Sequence, residues 1–139
     1  MSKMSSLILK AGGVIIRDRK LLVTRSWNET FFIAPGGKLE EGETAKQALV
    51  RELKEELGIT VAERDLKEFG TFSGRAASDE TKTIQMKVFI VESWRGEPHP
   101  SHEIAEISWI DSSIPAGWNI GSIFEHDVLP RLKAQNLIN

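Results

Sequence analysis

Apolar residues fill positions 7–16, interrupted only by Lys10 and two glycines, and the same character returns over 20–24. The polar triplet Arg17-Asp18-Arg19 separates the two runs, which predicts two strands joined by a tight turn. A third, short apolar run at 31–34 stops at Pro35-Gly36-Gly37, a strong punctuator of regular structure. The period then changes. Good helix formers occupy 45–57, with Thr44 placed to cap the start and Gly58 to end the last turn. At about 100° per residue, Ala45, Leu49, Val50, Leu53 and Leu57 fall on one apolar side. Ile59-Thr60-Val61 resumes β character. Strands are predicted over 66–73 and 81–91 around a polar loop at 74–80, with Ile84, Met86, Val88 and Ile90 alternating onto one buried face. A Gly/Pro/His loop at 94–101 precedes a short strand over 104–110. A closing helix is predicted over 122–135, kinked or broken at Pro130.

Strands before and after one strong helix, with a second helix at the end, predict an α/β fold whose mixed sheet is covered on both faces. The length of 139 residues fits one domain, 1–139, around a single core. Apolar residues at 40% and charged residues at 27% place the chain among ordinary globular proteins. A net charge of −2 lacks the positive excess of proteins that grip a nucleic-acid backbone, so no such polymer is expected as partner. A small phosphorylated ligand is not excluded, because it needs only a local positive pocket or a metal. The chain has no cysteine, which removes disulfides, zinc thiolates and thiol nucleophiles. Its first apolar run is too short to cross a bilayer and has no clean secretory core, so a cytoplasmic location without membrane contact is expected.

Residues 37–59 carry the chemistry. The helix sets Glu52, Glu55 and Glu56 at i, i+3 and i+4, on an acidic arc that borders the apolar face. Three such carboxylates repel one another unless a cation compensates, and hard oxygen donors suit Mg²⁺ or Mn²⁺. Gly37 lets backbone approach the same place and can add its carbonyl as a ligand. Arg51, one turn before Glu55, is placed to pair with that carboxylate and orient it. A Glu-rich helix face is by itself usually solvated surface, and one Arg–Glu pair is worth little. The combination is different: chance assembles it in a chain of this length on the order of once in ten million.

The stretch is similar to a complete Nudix box, Gly-x5-Glu-x7-Arg-Glu-U-x-Glu-Glu-x-Gly-U with U aliphatic, and no fixed position departs from it. Pro35-Gly36-Gly37-Lys38, the run Val91-Glu92-Ser93-Trp94-Arg95-Gly96-Glu97-Pro98, and Val128-Leu129-Pro130-Arg131-Leu132 also resemble MutT-type members. The resemblance implies a Nudix-type α/β/α sandwich and cleavage of a nucleoside diphosphate linked to another group. It assigns metal binding to Gly37, Glu52, Glu55 and Glu56, with Glu52 the leading general base and Glu55 and Arg51 in the catalytic set. Glu43 supports the loop-helix geometry, or serves as a first-turn glutamate favoured by the helix dipole. Gly58 is structural.

Outside the box, Glu103 matches a loop carboxylate that reaches the metal in MutT-like members, with Glu106 as the alternative and a solvated loop acid as the plain reading. Lys38 and Arg25 look like phosphate contacts by family position; a surface lysine and a strand-end arginine are the plain readings. Trp27, Phe31 and Phe72 are candidates for stacking on a base, or are core and cleft wall. Asn119 resembles the position where MutT-type enzymes read a purine edge, or is a turn or cap residue. His99, His102 and His126 lack metal spacing and read as loop and helix-surface residues. The leading expectation is a nucleoside triphosphate pyrophosphohydrolase. ADP-ribose, a nucleotide sugar or a dinucleoside polyphosphate is the alternative substrate. A non-catalytic nucleotide-binding module is the alternative of another class, and such a module would be expected to lose the box carboxylates.

Overall fold

The computed structural model describes residues 6–76 and 79–139. In chain order its elements are β1 (Ser6–Val14), β2 (Ile16–Arg17), β3 (Lys20–Ser26), β4 (Phe31–Phe32), β5 (Gly36–Lys38) and α1 (Ala45–Leu57). There follow β6 (Leu66–Ala76), β7 (Asp79–Val91), β8 (Ile104–Ile110), β9 (Asn119–Ile120) and α2 (Leu129–Ala134). A mixed sheet runs in the order β5-β1-β7-β6, with β1 and β7 parallel at its centre. A second sheet, β2-β3-β8, is antiparallel, and β4 pairs with β9.

Successive residues of β7 send their side chains to opposite faces. Val88 joins the core formed with Val128, Leu129 and Leu132 at the second helix. Phe89 joins the core formed with Leu49, Leu53 and Leu57 of α1. The sheet therefore lies between two helices, as an α/β/α sandwich requires.

The run at 7–16 does not form a simple hairpin with 20–24. The chain changes sheets at Ile15, so β1 joins β5 and β7, and only β2 pairs with β3. Ala11 to Val14 are buried on both faces, the environment of a central parallel strand. The turn between β2 and β3 holds Asp18 and Arg19 at φ of 52° and 61°, the left-handed pair that matches strand twist.

The loop predicted at 74–80 is also shorter than expected. Gly74 pairs with Ile84 and Ala76 with Asp79, while residues 77–78 lie outside the described residues. Polar side chains do not stop backbone pairing where a hairpin extends into solvent.

Both cap signals read for α1 are realised. The Thr44 Oγ1 accepts from the Gln47 N–H at 3.1 Å, and the Gln47 side chain accepts from the Thr44 N–H at 3.0 Å, a full capping box. Gly58 closes the helix at φ 69°. The buried stripe is centred slightly differently from the expected one: Ala48, Leu49, Leu53 and Leu57 are buried, while Ala45 and Val50 lie at its edges.

The closing helix absorbs Pro130 without breaking. A π-turn over Phe124–Val128 runs directly into α2, whose first turn holds Pro130 where its missing N–H costs little. Among the described residues, no helix is long and apolar enough to cross a membrane.

Thr44→Ala should lower stability by about 1 kcal/mol, the usual value of an N-cap. Gly58→Ala should cost more, because its φ is left-handed and a Cβ would run into the His99 ring. Urea unfolding checks both; equal midpoints for the two variants would show that the His99 loop does not press on the helix end.

Candidate active site

α1 stacks Glu52 and Glu56 one turn apart on the side that meets β5. Glu56 is 5% exposed, and its Oε1 accepts the Gly36 N–H at 3.0 Å. A loop then docks on the C-terminal end of the helix. The His99 N–H donates to the Leu57 carbonyl at 3.1 Å and the Ser101 N–H to the Glu56 carbonyl at 3.0 Å. These bonds satisfy carbonyls that a helix end leaves open, and they bring the loop acid inward. The Glu103 carbonyl is fixed in turn by the Trp27 N–H at 3.0 Å. As a result, carboxylate oxygens of Glu52, Glu56 and Glu103 lie within 4.8 Å of one another.

Burial pushes the Glu56 carboxyl up to about 9, against the stabilising Gly36 N–H, and repulsion from Glu52 and Glu103 adds to the rise. Glu52 is also raised by burial, with Arg51 opposing the shift. The two carboxyls act on each other, so their titrations are linked. This donor set fits a hard divalent cation. It consists only of carboxylate oxygens, it is strained by like charge, and it opens onto a glycine: a Cβ on Gly37 would sit 2.5 Å from Glu52 Oε2.

Arg51 makes the expected ion pair with Glu55 at 3.6 Å, but Glu43 and Glu52 hold it more closely. Its Nε and Nη2 donate to the two oxygens of Glu43 at 2.7 and 2.9 Å, and its Nη1 donates to Glu52 at 2.6 Å. Glu55 is 3.6 Å away and its side chain is 46% exposed, at the rim of the cluster and not inside it. Glu43 wins because the Glu40 N–H holds its carboxylate at 2.8 Å in the fork geometry a guanidinium prefers. The Arg51 and Glu40 bonds lower Glu43 to about 2. Glu43 precedes the capping Thr44, so it acts as a brace between loop and helix, and the first-turn reading does not hold.

Arg25 is engaged away from the acidic cluster. It donates to Glu106 at 2.7 Å and to the carbonyls of Ser26 and Glu29, bracing that turn and occupying Glu106. Beside the cluster opens a cleft of ≈ 260 Å³, lined by apolar Ile8, Phe31, Ile33, Ile84, Met86 and Phe124 and by polar Lys10, Ser26, Glu29, Lys38 and Ser122, among others. Lys38 and Phe31 both line this cleft. Phe72 does not line the cleft: it packs against Phe69 with centroids 6.1 Å apart, under Arg131, and belongs to the wall of the core. Asn119 is exposed on β9, in register with Phe31, and is not among the cleft-lining residues. Trp27 is 68% exposed and likewise lies outside the lining.

Lys10, Glu29, Arg75 and Lys82 are charged cleft groups that lie outside the sequence motifs. Lys10 had a visible signal, since it is the one charge within the first apolar run. Burial lowers its pKa, and neighbouring Lys38 adds to the shift. Ile84 and Met86 gave no separate signal, because an apolar cleft floor alternates just as a core strand does.

The NUDIX domain signature matches residues 8–115, and the chain belongs to the Nudix family. It is 30% identical over 98 residues to the uncharacterized Nudix hydrolase YvcI of Bacillus subtilis, covering 70% of this chain and 62% of that one. It is 44% identical over 64 residues to the 8-oxo-dGTP diphosphatase of Escherichia coli, covering 46% of each. A third relative, the ADP-ribose pyrophosphatase of Methanocaldococcus jannaschii, is 33% identical over 102 residues, with 71% of this chain and 59% of that one covered. The chain thus spans less than two thirds of the length of these relatives. In fold it is similar to the MutT protein from Methanosarcina mazei, with a TM-score of 0.78, 23% identity and coverage of 97% and 99%.

The raised Glu56 carboxyl fixes how stability should depend on pH. It titrates near 4.5 when unfolded and about 9 when folded, so the folded state holds a proton the unfolded state has lost. The metal-free protein should keep this contribution below the lower value and lose it as pH rises through the higher one. Thermal melts in EDTA should fall across that window, Mg²⁺ should reverse the fall, and Glu56→Gln should flatten it. An unchanged slope in Glu56→Gln would show that another group carries the proton.

Proposed function

We propose that residues 1–139 act as one Nudix domain that hydrolyses a phosphoanhydride in a nucleoside diphosphate-linked substrate, using Mg²⁺, with Mn²⁺ as a substitute. The leading substrate class is a nucleoside triphosphate, cut to a monophosphate and pyrophosphate in the cytoplasm. One observation carries the reading: three carboxylates from a helix and a loop converge within 4.8 Å beside a cleft with an apolar floor and a cationic lining that includes Lys10 and Lys38. A phosphate chain and an attached base require that combination.

Glu52, Glu56 and Glu103 would hold the ion, with the Gly37 carbonyl and Glu55 as further ligands at its edge. Bound Mg²⁺ supplies neutralisation of phosphate charge and a more acidic water. The chain does the rest. Arg51 fixes Glu52 through Oε1, which leaves Oε2, facing Gly37, as the atom that takes the water's proton. Its elevated proton affinity suits that step, and the Glu43 brace keeps Arg51 from swinging away. The Gly36 N–H fixes Glu56 in the same manner. Lys38 contacts the phosphate chain, while Phe31 and Met86 support the base. Asn119, next to Phe31 across the β4–β9 pair, reads a purine edge from the rim.

Relatives named as 8-oxo-dGTP diphosphatases support the triphosphate reading. The relative named as an ADP-ribose pyrophosphatase supports a second reading, with the same chemistry on a dinucleotide-like substrate.

Glu56→Gln should cut turnover by about 100-fold or more, the usual cost of disturbing a metal site. Activity within a few-fold of the parent would refute the assignment. Hydrolysis of a nucleotide panel in ¹⁸O-labelled water should place the label on a single phosphorus of a nucleoside triphosphate. Strong ADP-ribose turnover without triphosphate turnover would reverse the substrate ranking.

A further inference from the structure

Lys10 and Lys38 face each other across the β1–β5 pair, in direct register. Directly opposed residues project to the same face, and both side chains line the cleft. Neither ammonium has a hydrogen-bond or ion-pair partner among the described residues, while Glu56, Glu52 and Glu29 act on Lys10 through space. Two like charges held together, one of them half-buried, repel each other and destabilise the free protein. Such a pair is suited to a ligand with dense negative charge.

The strand fixes where along that ligand Lys10 must act. Ile8, two residues before it on the same face of β1, is part of the apolar floor, and Gly12, two residues after it, lies against Met86 and Phe124. In the other direction, across β5, Gly36 and Gly37 meet the carboxylates of α1. Lys10 thus stands at the junction of floor and acidic cluster. A nucleotide with its base on the floor and its phosphate chain at the cluster must pass its first phosphate by this ammonium.

We propose that Lys10 binds the phosphoryl group attached to the nucleoside, in the substrate and in the nucleoside monophosphate product alike. The inference rests on the nucleotide-hydrolase reading above. A contact kept from substrate through product lowers KM without raising kcat, and it holds the product back.

Binding of AMP, GMP, CMP and UMP, each compared with its parent nucleoside in metal-free buffer, tests it by calorimetry. Lys10→Met keeps the apolar stem, and Lys10→Arg keeps the charge. For whichever nucleotide the wild type binds, Lys10→Met should weaken the monophosphate about tenfold and leave the nucleoside within about twofold, as losing one charge-assisted contact implies. Lys10→Arg should recover most of the loss. Lys87→Met, on the opposite face of β7 beside Glu68, should leave both affinities unchanged. In turnover assays Lys10→Met should raise KM about tenfold with kcat within roughly threefold, and it should relieve monophosphate inhibition. Unchanged monophosphate affinity in a folded Lys10→Met protein overturns the proposal. So does an equal loss for nucleoside and nucleotide, which would make Lys10 part of the floor. A wild type that binds no nucleotide in either the presence or absence of Mg²⁺ sinks the nucleotide reading itself, and this inference with it.

Discussion

The close passage of α1 over the Gly36-Gly37 bend is the constraint on which the rest depends. A Cβ on Gly36 would collide with the Ala11 carbonyl, and one on Gly37 would collide with the Glu52 carboxylate. Only the absence of side chains lets β5 pair with β1 and still lie under the helix. That proximity allows a backbone N–H to reach Glu56 and solvate it where water cannot. Without this bond a nearly buried carboxyl beside two others would have no compensation from the fold. The bend thus settles the packing of the helix and the chemistry of its acidic edge together.

Around this contact the charges are sorted by distance from the core. Arg51 draws Glu43 and Glu52 to one side of the helix and so keeps loop and helix in a fixed relation. Arg25 does similar work for the turn at Ser26–Glu29 by engaging Glu106. Glu52, Glu56 and Glu103 face one another in the cluster, and the two lysines of the β1–β5 pair face the cleft next to it. A net charge of −2 conceals this separation, because the opposite signs lie side by side within one small region. Composition excludes a polyanion-coating surface, and it says nothing about a local electrostatic gradient.

Local signals in the sequence read well wherever they agreed. Thr44, the leucine spacing and Gly58 all specify the same helix, and the box carboxylates follow from its geometry. Pairing between distant segments was less legible. The first apolar run looked like half of a hairpin because its true partner, β7, lies most of a chain length away. Helical spacing pairs Arg51 with Glu55, and the structure keeps that pair at 3.6 Å, yet a loop carboxylate held by a backbone N–H offers the better fork. Phe72 stays open between stacking on a base and packing on the core, because sequence does not distinguish a cleft wall from the core behind it. Lys10 was visible as an oddity, and its meaning needed the register with Lys38.

The parallel pairing of β1 with β7 also bears on how the protein comes to exist. Ser6 waits for Lys82, so the central ladder of the sheet cannot close until well over half of the polypeptide has emerged from the ribosome. α1 is complete long before then, with Leu49, Leu53 and Leu57 awaiting the surface they will cover. During that interval the same glutamates that later gather a cation border the uncovered leucines with negative charge. The residues that make the finished molecule less stable thus help keep the unfinished one from sticking to its neighbours.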